Sequence, residues 1–230
     1  MDDSSIDAAR ALGDPLRRRL YEHVADSGGE VGRAEAAEAL GIQRTLAAHH
    51  LDRLVEAGLL DVVRRKVSGR EGPGSGRPAK LYRRSEREVS IQLPPRDYEL
   101  AARVLAEAVE RHGAEEALHA AAREEGRRIG AGTDAESVLE LLRARGYEPE
   151  DGPRDERGDG SGGEAEVSLR NCPFHRLARD FPPLACGLNL ELVRGMLAAH
   201  AERRGGAAPE TRLAPGSGRC CVLISKNNID

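Results

Sequence analysis

Four cysteines lie in the last third of the chain, and their surroundings suit thiolate chemistry: Cys172, Cys186, Cys220 and Cys221. Pro173 at a first helical position predicts that Cys172 stands at a helix N-terminus, and the amphipathic pattern after Cys186 predicts the same there. The positive end of a helix dipole lowers the pKa of a thiol. Both sulfurs are therefore candidate ligands of a metal ion or of an anionic cluster.

Cys220 and Cys221 open a predicted terminal strand, in which successive side chains point to opposite faces. Only one of the two is therefore expected to share a site with Cys172 and Cys186. His175 or an exogenous group would supply a fourth ligand. The absence of a Cys-x-x-Cys pair argues against a structural zinc ribbon. Two alternatives stay open: thiols packed in a core, and a Cys172–His175 catalytic dyad, which lacks an orienting partner.

Positive charge is concentrated in one stretch of the chain. The 230 residues carry a net charge of −4. Between residues 64 and 84, however, eight positive residues stand against the single Glu71: Arg64, Arg65, Lys66, Arg70, Arg77, Lys80, Arg83 and Arg84. Such a patch favours contact with the phosphate backbone of a nucleic acid, whereas a solvated basic hairpin in a protein–protein module is the alternative.

The residues before the basic stretch form a helix-turn-helix pattern. A short helix is predicted over residues 33–40, Gly41 ends it, and a second helix follows over residues 43–57. In the second helix the inward face is predicted to carry Ala47, Leu51, Leu54 and Val55. The outward residues that are candidates for DNA contact are Gln43, Arg44, Thr45, His49 and Arg53.

The second helix is expected to read DNA in the major groove. Arginine pairs well with guanine and glutamine with adenine, which suits Arg44 and Gln43 near the start of this helix. Strands over residues 59–63 and 79–83 then predict a β-hairpin wing. Its candidate contacts to phosphate or to the minor groove are Arg64, Arg65, Lys66, Arg77 and Lys80. The pattern predicts a winged helix-turn-helix that binds double-stranded DNA.

The predicted fold class is α+β, with three regions. These are a winged helix-turn-helix DNA-binding domain (1–92), a helical connector used for dimerisation (93–131), and a C-terminal α/β sensor domain (132–230) with a mobile acidic loop (148–166). Residues 133–136 are predicted to form a capping box that opens a helix. The connector's apolar stripe, which includes Ala101, Val104, Leu105 and Ala108, favours pairing with a second copy; packing on its own C-terminal domain is the alternative.

The predicted location of the chain is the cytoplasm, with no membrane partner. No apolar run approaches the roughly 18 residues of a membrane span. The N-terminus lacks the cationic and apolar regions of a signal peptide. In a reducing compartment, four cysteines favour metal, cluster or redox chemistry over structural disulfides.

Several segments resemble known regulators. LGDPLRRRLY (12–21), AAHHLDRLVEAGLL (47–60) and GRPAKLY (76–82) resemble the ArsR-like winged-helix transcriptional regulators. NCPFH (171–175), CGLN (186–189) and RCCV (219–222) are similar to the SufR branch, the iron–sulfur-responsive repressors. The resemblance implies a homodimer in which cluster state sets affinity for an operator. It further implies that a [4Fe–4S] cluster is bound by Cys172, Cys186 and either Cys220 or Cys221.

Other functions also fit the residues. A winged-helix regulator with no cluster would respond instead to zinc, to thiol oxidation or to a small ligand. A non-DNA enzyme would require catalysis that depends on Cys172, and no enzymatic activity is predicted. The sequence therefore predicts a DNA-binding regulator, with cysteine-based sensing as a separate hypothesis.

Overall fold

The computed structural model describes residues 3–65, 78–92, 94, 96–152, 165–216, 219–227 and 229. The chain divides into two compact units, residues 1–96 and residues 97–230. Each unit combines helices with an antiparallel sheet and has its own buried core. The fold class is therefore α+β.

The described part of the first unit contains four helices: α1 (Asp3–Leu12), α2 (Pro15–Asp26), α3 (Arg33–Leu40) and α4 (Arg44–Glu56). Asp14 caps α2, because its carboxylate accepts hydrogen bonds from the backbone N–H groups of Leu16 and Arg17 at 2.9 and 3.0 Å. Pro15 occupies the first turn, where its missing N–H costs nothing. This helix start agrees with the sequence pattern.

The turn between α3 and α4 depends on a glycine. Gly41 has φ = 66°, a left-handed conformation that few other residues adopt without strain. The backbone N–H of Ile42 then donates to the carbonyl of Ala37 at 2.9 Å and closes the helix end. From α4, the buried residues Leu51 and Leu54 enter the core of the unit. The predicted helix-turn-helix is confirmed.

A three-stranded antiparallel sheet accompanies these helices, with β1 (Val31–Gly32), β2 (Leu60–Arg65) and β3 (Ala79–Arg84) in the order β1-β3-β2. Val31 and Val62 both pair with Tyr82, from opposite sides of the central strand. The two longer strands agree with the sequence pattern. β1 was not predicted, because two residues are too few to show a strand periodicity.

The second unit contains five helices among its described residues: α5 (Tyr98–His112), α6 (Glu115–Gly132), α7 (Val138–Arg143), α8 (His175–Asp180) and α9 (Pro182–Arg204). Helices α6 and α9 cross closely at glycines. A Cβ atom on Gly126, Gly130 or Gly195 would overlap with the backbone of the opposite helix. These glycines set the position of α9, which carries Cys186.

The sheet of the second unit has four antiparallel strands: β4 (Pro149–Asp151), β5 (Glu166–Leu169), β6 (Thr211–Leu213) and β7 (Val222–Ser225). Their order is β4-β5-β7-β6, so the C-terminal strand β7 lies inside the sheet. Leu169, Val222 and Ile224 pack with Val193 and Met196 of α9 in one core. The sheet and α9 together position the cysteines.

Two predictions in this unit need correction. Thr133 closes α6 instead of opening a capping box, because its hydroxyl donates to the carbonyl of Ile129 at 2.8 Å. The N-cap of α7 is Ser137, which accepts from the N–H of Glu140. The predicted acidic loop (148–166) is strand at both ends, since residues 149–151 and 166 belong to β4 and β5. Residues 153–164 of that loop lie outside the described residues.

Candidate functional site

The outer face of α4 presents polar side chains to solvent. Its opposite face carries Ala47, Leu51 and Leu54, each with an exposed fraction of 0%. This facing agrees with the helical periodicity of the sequence. The residues predicted to contact DNA from this face are all exposed: Gln43, Arg44, Thr45, His49 and Arg53. One side of α4 is therefore anchored in the core and the other is free to enter a groove.

The antiparallel pair β2–β3 supplies further positive charge. Arg64 and Arg65 are exposed at the end of β2, and Arg65 donates to Glu30 at 2.8 Å. On α4, Arg53 donates to Glu56 at the same distance. These exposed ion pairs are weak and leave the arginines able to exchange partners. The predicted contacts Lys66 and Arg77 lie outside the described residues.

Asp52 joins α4 to β3 through hydrogen bonds. Its carboxylate accepts from Lys80 Nζ at 2.5 Å and from Tyr82 Oη at 2.7 Å. Burial opposes ionisation of Asp52, but the hydrogen bonds from Lys80 and Tyr82 outweigh it and hold the pKa of Asp52 below its usual value. Lys80, predicted to contact phosphate, lies on this carboxylate.

The four cysteines of the second unit converge, and Cys172, Cys186, Cys220 and Cys221 are called here the cysteine site. Cys172 follows β5, Cys186 lies within α9, and the other two precede β7. Cys220 forms side-chain hydrogen bonds with Cys172 and with Cys221, and Cys221 forms one with Cys186. All four are free thiols. The structure thus brings both adjacent cysteines into one site, where the sequence predicted only one.

The helix-dipole argument for the thiols was wrong. Helix α8 begins at His175, beyond Cys172, and α9 begins at Pro182, so that Cys186 lies inside the helix. A hydrogen bond to Cys220 and burial raise the pKa of Cys172. Hydrogen bonds from Cys172 and Cys221, and one from Asn189, hold the pKa of Cys220 below its usual value. Neighbouring side chains and burial, and not helix ends, shift the pKa values of Cys172 and Cys220.

Asn189 and Tyr147 complete the surroundings of the cysteine site. Asn189 is fully buried on α9, and its Nδ2 donates to Cys220 Sγ at 3.1 Å and to Cys172 Sγ at 3.9 Å. Tyr147 Oη donates to Asn189 Oδ1 at 2.6 Å. Burial and the nearby cysteines raise the pKa of Tyr147, so its hydroxyl stays protonated and acts as the donor of this hydrogen bond. Sequence reasoning missed both residues.

The donor set suits a thiolate-bound group in chemistry more than in arrangement. Cysteine sulfurs are the usual ligands of iron–sulfur clusters and of many zinc sites. Within the described ranges, however, no group of three or more His, Cys, Asp or Glu side chains is arranged to hold a metal ion. His175, predicted as a possible fourth ligand, is exposed at the first residue of α8. Binding such a group would require the thiols to reorient.

A second polar region of this unit is a groove of about 520 Å³ beside α6 and α9, lined by three arginines. Arg123 and Arg194 each donate to Glu191, at 2.6 Å, and Arg194 also bonds Thr211. Arg127 forms a bidentate pair with Glu202. The arginines are thus balanced by carboxylates, which indicates a structural ion-pair network.

Helix α5 exposes the stripe that the sequence predicted as a contact surface. Val104 and Leu105 are 58% and 67% exposed, and Ala101 and Ala108 are exposed as well. The buried residue of this helix is Ala106, on a different face.

None of the helices in the described part of the chain combines the length and the apolar character that a membrane span requires.

Comparison with known proteins supports the first unit. Residues 12–63 match a family model described as a helix-turn-helix domain. The match spans α2, α3 and α4 and reaches into β2. No curated protein matches the chain, and no solved structure does. The match and the geometry of α3 and α4 indicate that the chain carries the helix-turn-helix domain of a DNA-binding transcription regulator.

Proposed function

We propose that this chain is a sequence-specific winged-helix transcriptional repressor whose cysteine site senses an iron–sulfur cluster or redox state. The observation that carries the proposal is the exposed polar face of α4, whose opposite face is buried in the core of the first unit. The pair β2–β3 follows α4 directly and would act as the wing. Because the remaining cysteine-bearing unit has a separate core, DNA reading and sensing would be divided between the two units.

DNA recognition would begin with α4 in the major groove. Arg44 and Gln43 lie in the first turn, where such a helix meets base edges, and would donate to guanine and pair with adenine. Thr45 would contact phosphate. Arg64 and Arg65 at the end of β2 would add sequence-independent attraction to the DNA backbone. Contacts of the first kind would choose the operator, and contacts of the second kind would supply affinity.

A homodimer would place two such helices on one operator. The exposed stripe of α5, with Val104 and Leu105, provides apolar area for a second copy. Two-fold regulators need a dimer contact to fix the spacing of their half-sites. Size-exclusion chromatography with light scattering would test this, and Leu105→Glu should shift the population towards monomer.

The cysteine site would hold the sensed group. Cys172, Cys186 and either Cys220 or Cys221 would be the ligands, and a bound [4Fe–4S] cluster would supply sensitivity to oxygen and to iron supply. The burial of Cys220 and Cys221 would exclude water, and the amide of Asn189 would donate to the ligand sulfurs. The sulfurs would separate from their hydrogen-bonded arrangement on binding.

The decisive experiment is purification without oxygen, followed by a visible spectrum, assays of iron and acid-labile sulfide, and DNA mobility shifts over a range of salt. We expect a brown protein whose operator affinity changes when air bleaches the colour. Phosphate contacts should make binding fall steeply with salt. A protein that stays colourless after reconstitution would return the cysteine site to zinc, thiol oxidation or core packing, with a small ligand as the signal. Salt-independent or absent DNA binding would overturn the regulator itself.

A further inference from the structure

We propose that Asn189, oriented by Tyr147, is the positioning residue of the cysteine site. It makes Cys220, together with Cys172, the pair of sulfurs that binds the sensed group, so that Cys221 is not a ligand. The inference rests on the proposed sensing function and adds to it, because the sequence leaves the choice between the two adjacent cysteines open. Asn189 and Tyr147 form a buried hydrogen-bonded path to these sulfurs.

The first step is the cost of burying Asn189. Moving an amide side chain without hydrogen-bond partners from water into an apolar core costs free energy, so a fully buried asparagine must be hydrogen-bonded. Its surroundings on α9 are apolar, with Leu190 and Val193 in the same core. The hydrogen bonds of its side chain go to Tyr147, Cys220 and Cys172. The side-chain hydrogen bonds of Asn189 are therefore made at the cysteine site.

The second step is the orientation of the amide. Asparagine can present either its carbonyl oxygen or its NH₂ group to a neighbour, and the partners decide which. Tyr147 Oη donates to Oδ1 at 2.6 Å, which turns Nδ2 towards the sulfurs. A thiolate accepts hydrogen bonds and cannot donate them. Tyr147 therefore holds Asn189 in the orientation that points an N–H donor at Cys220 Sγ.

The third step is the asymmetry between the adjacent cysteines. Asn189 Nδ2 lies 3.1 Å from Cys220 Sγ, whereas the hydrogen bonds of the Cys221 thiol are to the thiols of Cys220 and Cys186. The same amide reaches Cys172 at 3.9 Å. Outer hydrogen bonds of this kind orient ligands and tune the reduction potential of a bound group. Within the described ranges, an amide N–H donor is directed at Cys220 and none at Cys221.

The experiment uses the full chain and Co²⁺ as the probe, under anaerobic and reducing conditions. Affinity is read from the thiolate-to-cobalt charge-transfer absorption. Asn189→Ala should weaken Co²⁺ binding by roughly 10- to 100-fold. Tyr147→Phe keeps the ring but frees the amide to turn, and should weaken binding less. Cys220→Ser should lose affinity, whereas Cys221→Ser should keep it.

Asn171→Ala is the matched control. Asn171 adjoins Cys172, but its side chain donates to the backbone carbonyl of Gly146 at 2.6 Å and, in the described part of the chain, to no sulfur. Its replacement should leave Co²⁺ affinity near that of the wild type. Equal effects of Asn189→Ala and Asn171→Ala would overturn the inference, as would equal losses in Cys220→Ser and Cys221→Ser. A wild-type chain that binds no Co²⁺ would overturn it as well.

A second readout separates this inference from the proposed function. In protein reconstituted with iron and sulfide, Asn189→Ala should lower the midpoint potential, because it removes an N–H donor from a ligand sulfur, and Asn171→Ala should not. If the wild type takes up no iron and sulfide, the iron–sulfur proposal fails while the Co²⁺ series still decides the role of Asn189. If it takes up both and the two asparagine variants share one potential, only the role of Asn189 fails.

Discussion

Both units contain a polar network that joins a helix to its neighbours, but the two networks differ in burial. Asp52 joins α4 to β3 where its side chain is 47% exposed, whereas Asn189 joins α9 to the cysteine site with no exposed surface. In the first network, water can replace a lost partner. In the second it cannot, so each member is required. We therefore expect changes in the second unit to cost more than changes in the first.

The largest effect is expected where α6 and α9 cross. Gly195→Ala places a Cβ against the carbonyl oxygen of Arg123, which is backbone and cannot turn aside. The free energy of unfolding of the second unit should fall by about 3 kcal/mol, at the upper end for overpacking. Denaturant unfolding measures this. Gly132→Ala, where a Cβ meets nothing within 4 Å, is the control and should be nearly neutral.

The same variant tests whether the two units are energetically separate. The first unit has its own core, so its unfolding transition should keep its midpoint in Gly195→Ala. Hydrogen exchange of the amides of α4 would follow it. Equal loss of protection in both units would show that they unfold together, and the comparison drawn above would then fail.

A smaller effect is expected at Glu191, whose side chain is 11% exposed between Arg123 and Arg194. Burial opposes its ionisation, but the hydrogen bonds and charges of the two arginines outweigh this and lower the pKa of Glu191. Glu191→Gln should cost about 1.5–3 kcal/mol at neutral pH, the range for hydrogen bonds to charged groups. Urea unfolding of the second unit at several pH values measures it.

The sign of the pH dependence follows from the lowered pKa of Glu191. Its contribution is complete above the unfolded-state pKa, about 4.3, and is lost as pH falls through the lower folded-state pKa. The wild type should therefore approach Glu191→Gln in stability on acidification. Glu202→Gln is the control on the same helix, because its carboxylate is 60% exposed and pairs with Arg127 at the surface. A pH-independent gap would exclude this account of Glu191.

DNA binding sharpens the comparison within the first unit. After an operator has been selected from random sequences, Arg44→Ala should reduce discrimination against other DNA by about 1–3 kcal/mol, because it removes a base contact. Arg64→Ala should weaken binding to DNA of every sequence by a similar factor. It should also reduce the slope of log K against log salt by about 1, because it removes a phosphate contact. Mobility shifts at several salt concentrations distinguish the two. Identical behaviour of the variants would refute this assignment of roles.

The first unit was largely predictable because its signals are local. The spacing of Ala47, Leu51 and Leu54 fixes which face of α4 is buried, and Gly41 marks the turn. The start of α9 also had a local signal, which was missed: Pro182 and Pro183 suit the first turn of a helix. Placing that start at Cys186 led to the incorrect dipole argument.

The cysteine site was predictable in its members but not in its contacts. Tyr147 and Asn189 lie 42 positions apart, and no periodicity connects residues across such a separation. One signal was present, since a single asparagine interrupts the apolar residues of α9 near Leu190 and Val193. A polar residue on a buried helix face requires a partner, which points to a site without saying where that partner lies.

The smallest effect is expected at the surface link between α4 and β3. Lys80→Met removes a cation that is 38% exposed, and solvent and salt screen such a pair, so the cost should be about 0.2–1 kcal/mol. Tyr82 would still donate to Asp52, and α4 would keep its place. Because the pKa of Asp52 is lowered, the coupling between Lys80 and Asp52 in a double-mutant cycle with Asp52→Asn should be full near neutral pH and vanish as pH falls through that pKa. A coupling as large as the effect at Glu191 would mean that side-chain exposure does not decide how much the ion pairs of Asp52 and Glu191 contribute to stability.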